Sequence, residues 1–227
     1  GRVYKKKGYQ IPEASRTAKG SNIVNILPVE GGERVTAMIH RRENDENGFL
    51  FMATRNGTVK RVGLDAIRHI RSSGLRVLTL DPGDELISVR ETDGTMNLLL
   101  ATHQGMAICF KEEDVRPMGR SAVGVRGIRL REGDYVIGAV RAWAGSMLLT
   151  ITENGYGKRT PIEEYIRGNG EPQHRGGYGL RNYHITEKTG PAAVIKVARQ
   201  TDDILIISDD GTIIRMPVTD VNVYGRS

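Results

Sequence analysis

Cysteine and tryptophan each occur once in the 227 residues, and phenylalanine occurs three times. A single thiol, Cys109, excludes an internal disulfide framework and favours a reducing compartment such as a cytoplasm. No apolar run approaches the ~18 residues that a membrane span needs, and the N-terminal GRVYKKKGYQ has no apolar signal-peptide segment. The sequence therefore excludes a secreted miniprotein and predicts a chain that has no membrane partner.

Motifs for catalysis and metal binding are also missing. The five histidines have no cysteine or carboxylate neighbours at metal-ligand spacing. The segment from Gly157 to Thr160 resembles the end of a phosphate-binding loop. However, Thr152 replaces the leading glycine, and Arg159 occupies the position of the hydroxyl residue that would bind Mg²⁺. Neither a G-x-S-x-G elbow nor a G-x-G-x-x-G turn occurs. We expect no catalytic residue, no metal site and no cofactor in this domain.

Glycine is plentiful, with 28 residues, and marks a repeat. An apolar run, a polar turn with glycine and a second β-rich run recur, as in FLFMATRNGTVKRV, NLLLATHQGMAICF, MLLTITENGYGKRT and ILIISDDGTIIRMP. We call the glycine of each such turn the turn glycine. The turn glycines are Gly1, Gly57, Gly105, Gly155 and Gly211. Their spacing gives a repeat of about fifty residues, a period found in blade arrays.

Each unit continues in the same order after its hairpin. A short acidic stretch such as KEEDV, long enough for one turn, is followed by a loop with glycine and arginine, then a strand. A glycine turn and a fourth apolar strand follow, such as VTAMI, LISVR, YVIGAV or AAVIKV. Four short strands per unit predict an all-β fold, a β-pinwheel or propeller-like array of four-stranded blades. A two-sheet sandwich is the alternative.

The domain boundaries follow from this period. We expect one β-pinwheel domain over residues 1–227, with about four to five blades. Because Gly1 falls inside a hairpin and Ser227 precedes a strand, we expect the array to be truncated at both ends.

Basic residues recur at equivalent places in the units. The chain has 33 Lys and Arg against 27 Asp and Glu, a net charge of +6 that only hints at a polyanionic partner. The more informative feature is that Arg or Lys follows the turn glycine by four residues in every unit except the third, which has Cys109 there, and that arginine reappears in the glycine-containing loops. The candidate DNA-binding residues are Lys5, Arg16, Lys19, Arg61, Arg71, Arg76, Arg120, Arg126, Arg129, Lys158, Arg159, Arg175, Arg181, Arg215 and Arg226.

This arrangement suits binding to a phosphate backbone. Glycine lets backbone N–H groups approach a phosphate, and the arginine guanidinium donates two parallel hydrogen bonds to its oxygens. Repetition over several blades predicts a curved basic rim that binds and bends duplex DNA with little sequence preference. If strands run up and down in each blade, the acidic glycine turns lie at the opposite strand ends from the basic loops.

Several segments then resemble a known family. GRVYKKKGYQIPEASRTAKGSNIVNILPVEGGERVTAMI, ENGYGKRTPIEEY, ITEKTGP and DDGTIIRMPVTDVNVYGR are similar to the C-terminal domain of the A subunit of DNA gyrase, a type IIA topoisomerase. The resemblance runs along essentially the whole chain. It implies a β-pinwheel whose strands are exchanged between neighbouring blades and whose rim wraps duplex DNA with positive handedness.

The resemblance also implies a place in a larger enzyme. The chain would present a wrapped DNA segment for ATP-dependent negative supercoiling, in an A2B2 complex of the two kinds of gyrase subunit in the bacterial cytoplasm, at the nucleoid. ATP and Mg²⁺ would act elsewhere in that holoenzyme.

One signature of the family is altered. Its heptapeptide Q-R-R-G-G-K-G lies upstream of the GRVY stretch and would fall before Gly1. A degenerate copy of this box occupies Gln173, His174, Arg175, Gly176, Gly177, Tyr178 and Gly179. Since His174 and Tyr178 replace basic residues, we expect this copy to contact phosphate but not to close a wrap. The corresponding domain of the topoisomerase IV A subunit and a protein-binding propeller scaffold stay open as alternatives.

Overall fold

The structure is a computed structural model that describes residues 1–41 and 47–226, so Ser227, the last residue of the predicted domain, lies outside the described residues. The described part consists of β-strands, short 3₁₀ helices and loops, without an α-helix. The strands are β1 (Arg2–Val3), β2 (Phe49–Thr54), β3 (Thr58–Gly63), β4 (Leu75–Arg76), β5 (Leu86–Thr92), β6 (Asn97–Thr102), β7 (Met106–Lys111), β8 (Val125–Arg126), β9 (Val136–Ala142), β10 (Met147–Thr152), β11 (Gly157–Pro161), β12 (Leu180–Arg181), β13 (Ala192–Ala198), β14 (Asp203–Ile207) and β15 (Ile213–Pro217).

The predicted hairpins and single turns are present. Gly57, Gly105, Gly155 and Gly211 all have φ between 80° and 85°, a left-handed conformation that glycine adopts without strain. The acidic stretches form one-turn 3₁₀ helices directly after the hairpins. The 3₁₀ helices of the described chain are Gly8–Gln10, Ile23–Asn25, Leu64–Ile67, Glu112–Asp114, Ile162–Tyr165 and Val218–Asp220.

The strands form five sheets, which we number I to V along the chain. Sheet I is β1-β4, sheet II is β5-β2-β3-β8 and sheet III is β9-β6-β7-β12. Sheet IV is β13-β10-β11 and sheet V is the hairpin β14-β15. All strand pairs within them are antiparallel.

In sheets I, II and III, the edge strand that pairs with the second strand of the hairpin comes from the following unit. After the hairpin of sheet III, for example, the chain returns to sheet II and adds β8 beside β3. We call β4, β8 and β12 the exchanged strands. In each case the carbonyl of a turn glycine anchors the chain just after the exchanged strand; Gly57 O accepts from Gly127 N at 2.8 Å, and Gly105 O accepts from Asn182 N at 2.7 Å. This is the exchange that the family resemblance implies.

The core lies between neighbouring sheets, which explains the unbroken apolar runs of the hairpins. Leu98 and Leu100 face sheet II, whereas Leu99 and Ala101 face sheet IV, and all four are fully buried. Successive residues of a strand point to opposite faces, so a strand packed on both faces must be apolar throughout.

One predicted strand is absent. VTAMI, residues 35–39, is not a strand, and Met38 is 90% exposed. At the equivalent place of sheets II, III and IV, the strand pairs with the first strand of its hairpin. In this chain the first unit contains only the second hairpin strand, β1, so VTAMI has no such partner.

Candidate nucleic-acid interface

Three arginines occupy the same register position on the exchanged strands. Arg76 pairs with Arg2, Arg126 with Thr58 and Arg181 with Met106, in each case the residue that follows a turn glycine. All three side chains are exposed on the outermost strand of their sheet. We call Arg76, Arg126 and Arg181 the arginine row. Strand exchange therefore repeats one exposed guanidinium on three successive sheets.

Other predicted residues are exposed in loops. Arg71, Arg120 and Arg129 lie in the loops that flank the exchanged strands β4 and β8, whereas Lys5, Arg16 and Lys19 lie between β1 and β2. Arg215 is also exposed, but its guanidinium donates to the Asp203 carboxylate at 2.6 Å and 2.9 Å. That ion pair lies across the β14–β15 hairpin and neutralises the charge of Arg215.

The structure corrects the prediction for Arg61 and Arg159, which follow their turn glycines by four residues. They are only 6% and 8% exposed. Arg61 Nε donates to Val115 O at 2.8 Å, and Arg159 Nε donates to Val221 O at 2.7 Å. Each guanidinium thus holds the 3₁₀ turn of the following unit. A bound duplex could not reach these two side chains, so they are structural.

Lys158 is corrected for the same reason. Its side chain is buried and donates to Gly225 O at 2.6 Å and Arg226 O at 2.8 Å. Burial lowers the pKa of Lys158 to about 8, because desolvation disfavours the charged ammonium. The lysine serves to fasten the loop of the following unit.

Lys60, the equivalent residue of sheet II, was missed by sequence reasoning. Its fully buried ammonium donates to Val77 O, Arg120 O and Ala122 O at 2.7–2.8 Å. Desolvation lowers the pKa of Lys60 as well. The signal in the sequence was the repeated Lys-Arg pair three and four residues after Gly57 and Gly155.

Arg175 and Arg226 are half-buried and join neighbouring units. Arg175 Nε donates to Asp114 O at 2.8 Å, and its Nη1 donates to Arg126 O at 2.9 Å. Arg226 Nη1 donates in the same way to Arg181 O at 3.3 Å. Each of these loop arginines therefore donates a hydrogen bond to the backbone carbonyl of an arginine in the row.

The degenerate box crosses from sheet III to the loop after β8. Gly176 N donates to Gly127 O at 2.6 Å, and Arg129 N donates to Gly177 O at 2.8 Å. His174 contacts the Asp114 carboxylate at 3.2 Å, and a side chain on Gly179 would collide with Ala107 O. The buried Gln173 Oε1 has no hydrogen-bond partner among the described residues. Tyr178 is exposed, with the Arg129 and Arg131 guanidinium groups 5.5 and 5.8 Å from its ring centre.

The prediction that the acidic turns lie at the opposite strand ends from the basic loops is wrong. Asp84 Oδ1 accepts from Asn56 N at 2.9 Å, and Asp134 Oδ1 accepts from Gln104 N at 2.9 Å. The acidic turns thus cap the hairpin turns, beside the residues with which Arg126 and Arg181 pair. The prediction assumed that each unit keeps its own strands, whereas exchange brings a basic strand to the same end of the hairpin.

Comparison with known proteins gives consistent matches. The family model described as "DNA gyrase C-terminal domain, beta-propeller" matches residues 1–40, 48–93, 97–142, 146–170 and 202–227. The A subunit of DNA gyrase from Staphylococcus aureus (strain MRSA252) is 42% identical over 230 residues, which cover 100% of this chain and 25% of that protein. The chain therefore spans about a quarter of the length of such curated relatives.

Two solved structures are similar over nearly the whole chain. The C-terminal domain of DNA topoisomerase IV has a TM-score of 0.85 at 27% identity, covering 96% of this chain and 67% of that one. A DNA gyrase A C-terminal domain has a TM-score of 0.84 at 23% identity, covering 100% and 72%, and this likeness concerns the fold alone. The predicted all-β, propeller-like fold is confirmed. No helix in residues 1–41 and 47–226 is long and apolar enough to cross a membrane.

Proposed function

Since the chain belongs to the DNA gyrase C-terminal domain family, we propose that it binds duplex DNA along its exchanged strands and bends the duplex over successive sheets. The observation that carries this proposal is the arginine row: three exposed guanidinium groups at one register position of three sheets. A single exposed arginine would have no such meaning, because isolated surface charges are common.

The row is suited to the phosphate backbone and not to base edges. Its arginines lie on two-residue strands at the edge of their sheets, and the described chain offers no α-helix that could enter a major groove. Guanidinium groups at repeated intervals match a repeated anion, so the binding should be independent of sequence and weakened by salt. Contacts from several sheets offset the cost of bending the duplex.

We extend the proposal to the whole protein. In it, this chain presents a wrapped DNA segment for ATP-dependent negative supercoiling by gyrase, within a complex of two A and two B subunits in the bacterial cytoplasm. ATP hydrolysis and Mg²⁺ belong to other parts of that complex. The support is the 42% identity to the gyrase A subunit over the full length of the chain.

The arginine row can be tested by removing its charges. The triple variant R76Q/R126Q/R181Q should lower the slope of log Kd against log salt concentration for random duplex DNA by about three, about one for each lost phosphate contact. The matched control is K188Q/K196Q/R199Q, which removes three exposed positive charges that lie off the exchanged strands.

Fluorescence anisotropy at four salt concentrations would give both slopes. Equal slopes for the triple variant and the unmodified chain would refute binding through the row. An equally large change in the control would reduce the effect to net charge, which also contradicts the proposal.

The corresponding role in topoisomerase IV is the second candidate. The observation that favours it is the solved topoisomerase IV domain, with its TM-score of 0.85 and 27% identity. Both candidates predict binding to duplex DNA. They differ in wrapping, which the linking number of closed DNA circles measures.

A further inference from the structure

A pocket beside the exchanged strand β12 is lined by three arginines, one from each of three units. Arg131, Arg181 and Arg226 line it, together with Tyr183 and the apolar Leu180. Arg131 begins the turn that Asp134 closes, Arg181 ends β12, and Arg226 follows the hairpin of sheet V. The lining, within the described residues, contains no carboxylate. We call it the sheet III pocket.

The charge in this pocket is compensated only in part. Arg226 Nε is buried without a hydrogen-bond partner in the described chain, although it forms a long ion pair of 3.9 Å with the Glu164 carboxylate. Arg226 Nη1 donates only a long bond to Arg181 O. Like charges that line the same pocket repel each other, and an anion with several acceptor oxygens relieves that repulsion.

The same place on sheet II contains a carboxylate. There, Arg126 stands for Arg181 and Arg175 for Arg226, with the same donation from the loop guanidinium to the carbonyl of the row arginine. Asp81 stands for Arg131, because each begins the turn that closes on Asp84 or Asp134. Arg129 also stands at the position of His184, so sheet II offers three guanidinium groups and a carboxylate, where sheet III offers three guanidinium groups without a carboxylate in its described lining.

We propose that the sheet III pocket is a phosphate clamp that takes a backbone phosphodiester of the duplex and anchors the DNA at this sheet more tightly than elsewhere on the rim. This inference rests on the proposed function. The planar guanidinium groups donate to the phosphate oxygens, and the apolar Leu180 beside them limits competition from water. The contacts along the rim are then unequal, with one strong point and weaker flanking ones.

Two single variants compare the clamp with the rest of the rim. R131Q should weaken binding to random duplex DNA about tenfold, the effect of losing one charge-assisted contact. R71Q removes an equal charge from an exposed loop residue outside the pocket and should weaken it much less. If R131Q weakens binding no more than R71Q, the clamp is refuted while DNA binding stands. If the unmodified chain does not bind duplex DNA, the proposed function itself fails.

A charge exchange moves the clamp without changing the net charge. In D81R/R131D, an arginine replaces the carboxylate of sheet II, and a carboxylate replaces Arg131 of sheet III. Arginine modification by phenylglyoxal, read by mass spectrometry, should find Arg181 protected by limiting duplex DNA in the unmodified chain and Arg126 protected in the exchange variant. Inorganic pyrophosphate, as a second probe, should protect the same residues. Unchanged protection in the variant, or equal protection of all three row arginines, would overturn the clamp.

Discussion

Lys60 and Lys158 are buried cations whose role is to hold loops. Each follows a turn glycine by three residues, and each donates to carbonyl oxygens of the loop that carries the next unit's arginine. Sheet III has Ile108 at this position, and its Cδ1 would lie 3.9 Å from a Cβ added to Gly177. The sequence pattern included Lys158 among the candidate DNA-binding residues. It could not distinguish a phosphate ligand from an ammonium that satisfies carbonyls, because both roles require a positive charge beside a glycine-containing loop.

The lowered pKa of Lys158 predicts a pH dependence of stability. In the folded chain this pKa is about 8, against 10.5 for an unperturbed lysine. Between these values the unfolded chain binds more protons than the folded one, so stability increases with pH across this range. The free energy of unfolding, relative to that of the variant K158M, should therefore rise from pH 8 towards pH 10.5. Urea titrations of both proteins at constant ionic strength would measure it. A difference that is constant or falls over this range contradicts the assignment.

At the scale of elements, the predictable features were those that repeat locally. The turn glycines, the one-turn stretches after the hairpins and the strands LISVR, YVIGAV and AAVIKV follow from residue types and short spacings. The position of a residue relative to the neighbouring units was harder to predict. Arg61 and Arg159 have the spacing of surface residues, but strand exchange wraps the next unit over them. VTAMI has strand composition, but the strand forms only where its hairpin partner is present.

The exchange depends on glycines that precede the exchanged strands. Gly179 has φ of 76°, and a Cβ there would collide with Ala107 O on β7. Gly145, between β9 and β10, is the matched control. Its φ is 78°, but nothing lies within 4 Å of a Cβ added there. G145A should therefore cost about 1 kcal/mol from backbone strain alone, whereas G179A should cost about 3 kcal/mol because β12 must also move.

Chemical denaturation would give both costs, and amide exchange would locate the second. The Asn182 amide, bonded to Gly105 O at 2.7 Å, should exchange faster in G179A and stay protected in G145A. Equal losses of stability in the two variants would mean that strand exchange does not depend on the close approach of Gly179 to β7.

At the scale of the whole molecule, the net charge of +6 is a poor guide to the interface. Arg61, Lys158 and Arg159 are buried cations, and Arg215 is paired with Asp203. Except for Arg16, the candidate arginines that remain exposed and unpaired with a carboxylate in the described chain lie on the exchanged strands and their flanking loops, while Asp84 and Asp134 cap hairpin turns. The proposed interface therefore depends on which charges the fold leaves exposed.

The degenerate box predicts how far this chain can wrap DNA. Arg175 is bound to Asp114 O and Arg126 O, and Gly176 N is bound to Gly127 O, so these groups already serve the contact between units. The exposed His174 and Tyr178 replace an arginine and a lysine of the family's box. We therefore expect the isolated chain to bend DNA but to hold little of a superhelical turn. Ligation of nicked circles in its presence, followed by gel separation of topoisomers, should shift the linking number by a small fraction of a turn per bound chain. The R76Q/R126Q/R181Q variant should abolish even that shift, because the bend depends on the arginine row. A shift near one full positive turn per chain would mean that the box residues release their contacts and grip the duplex.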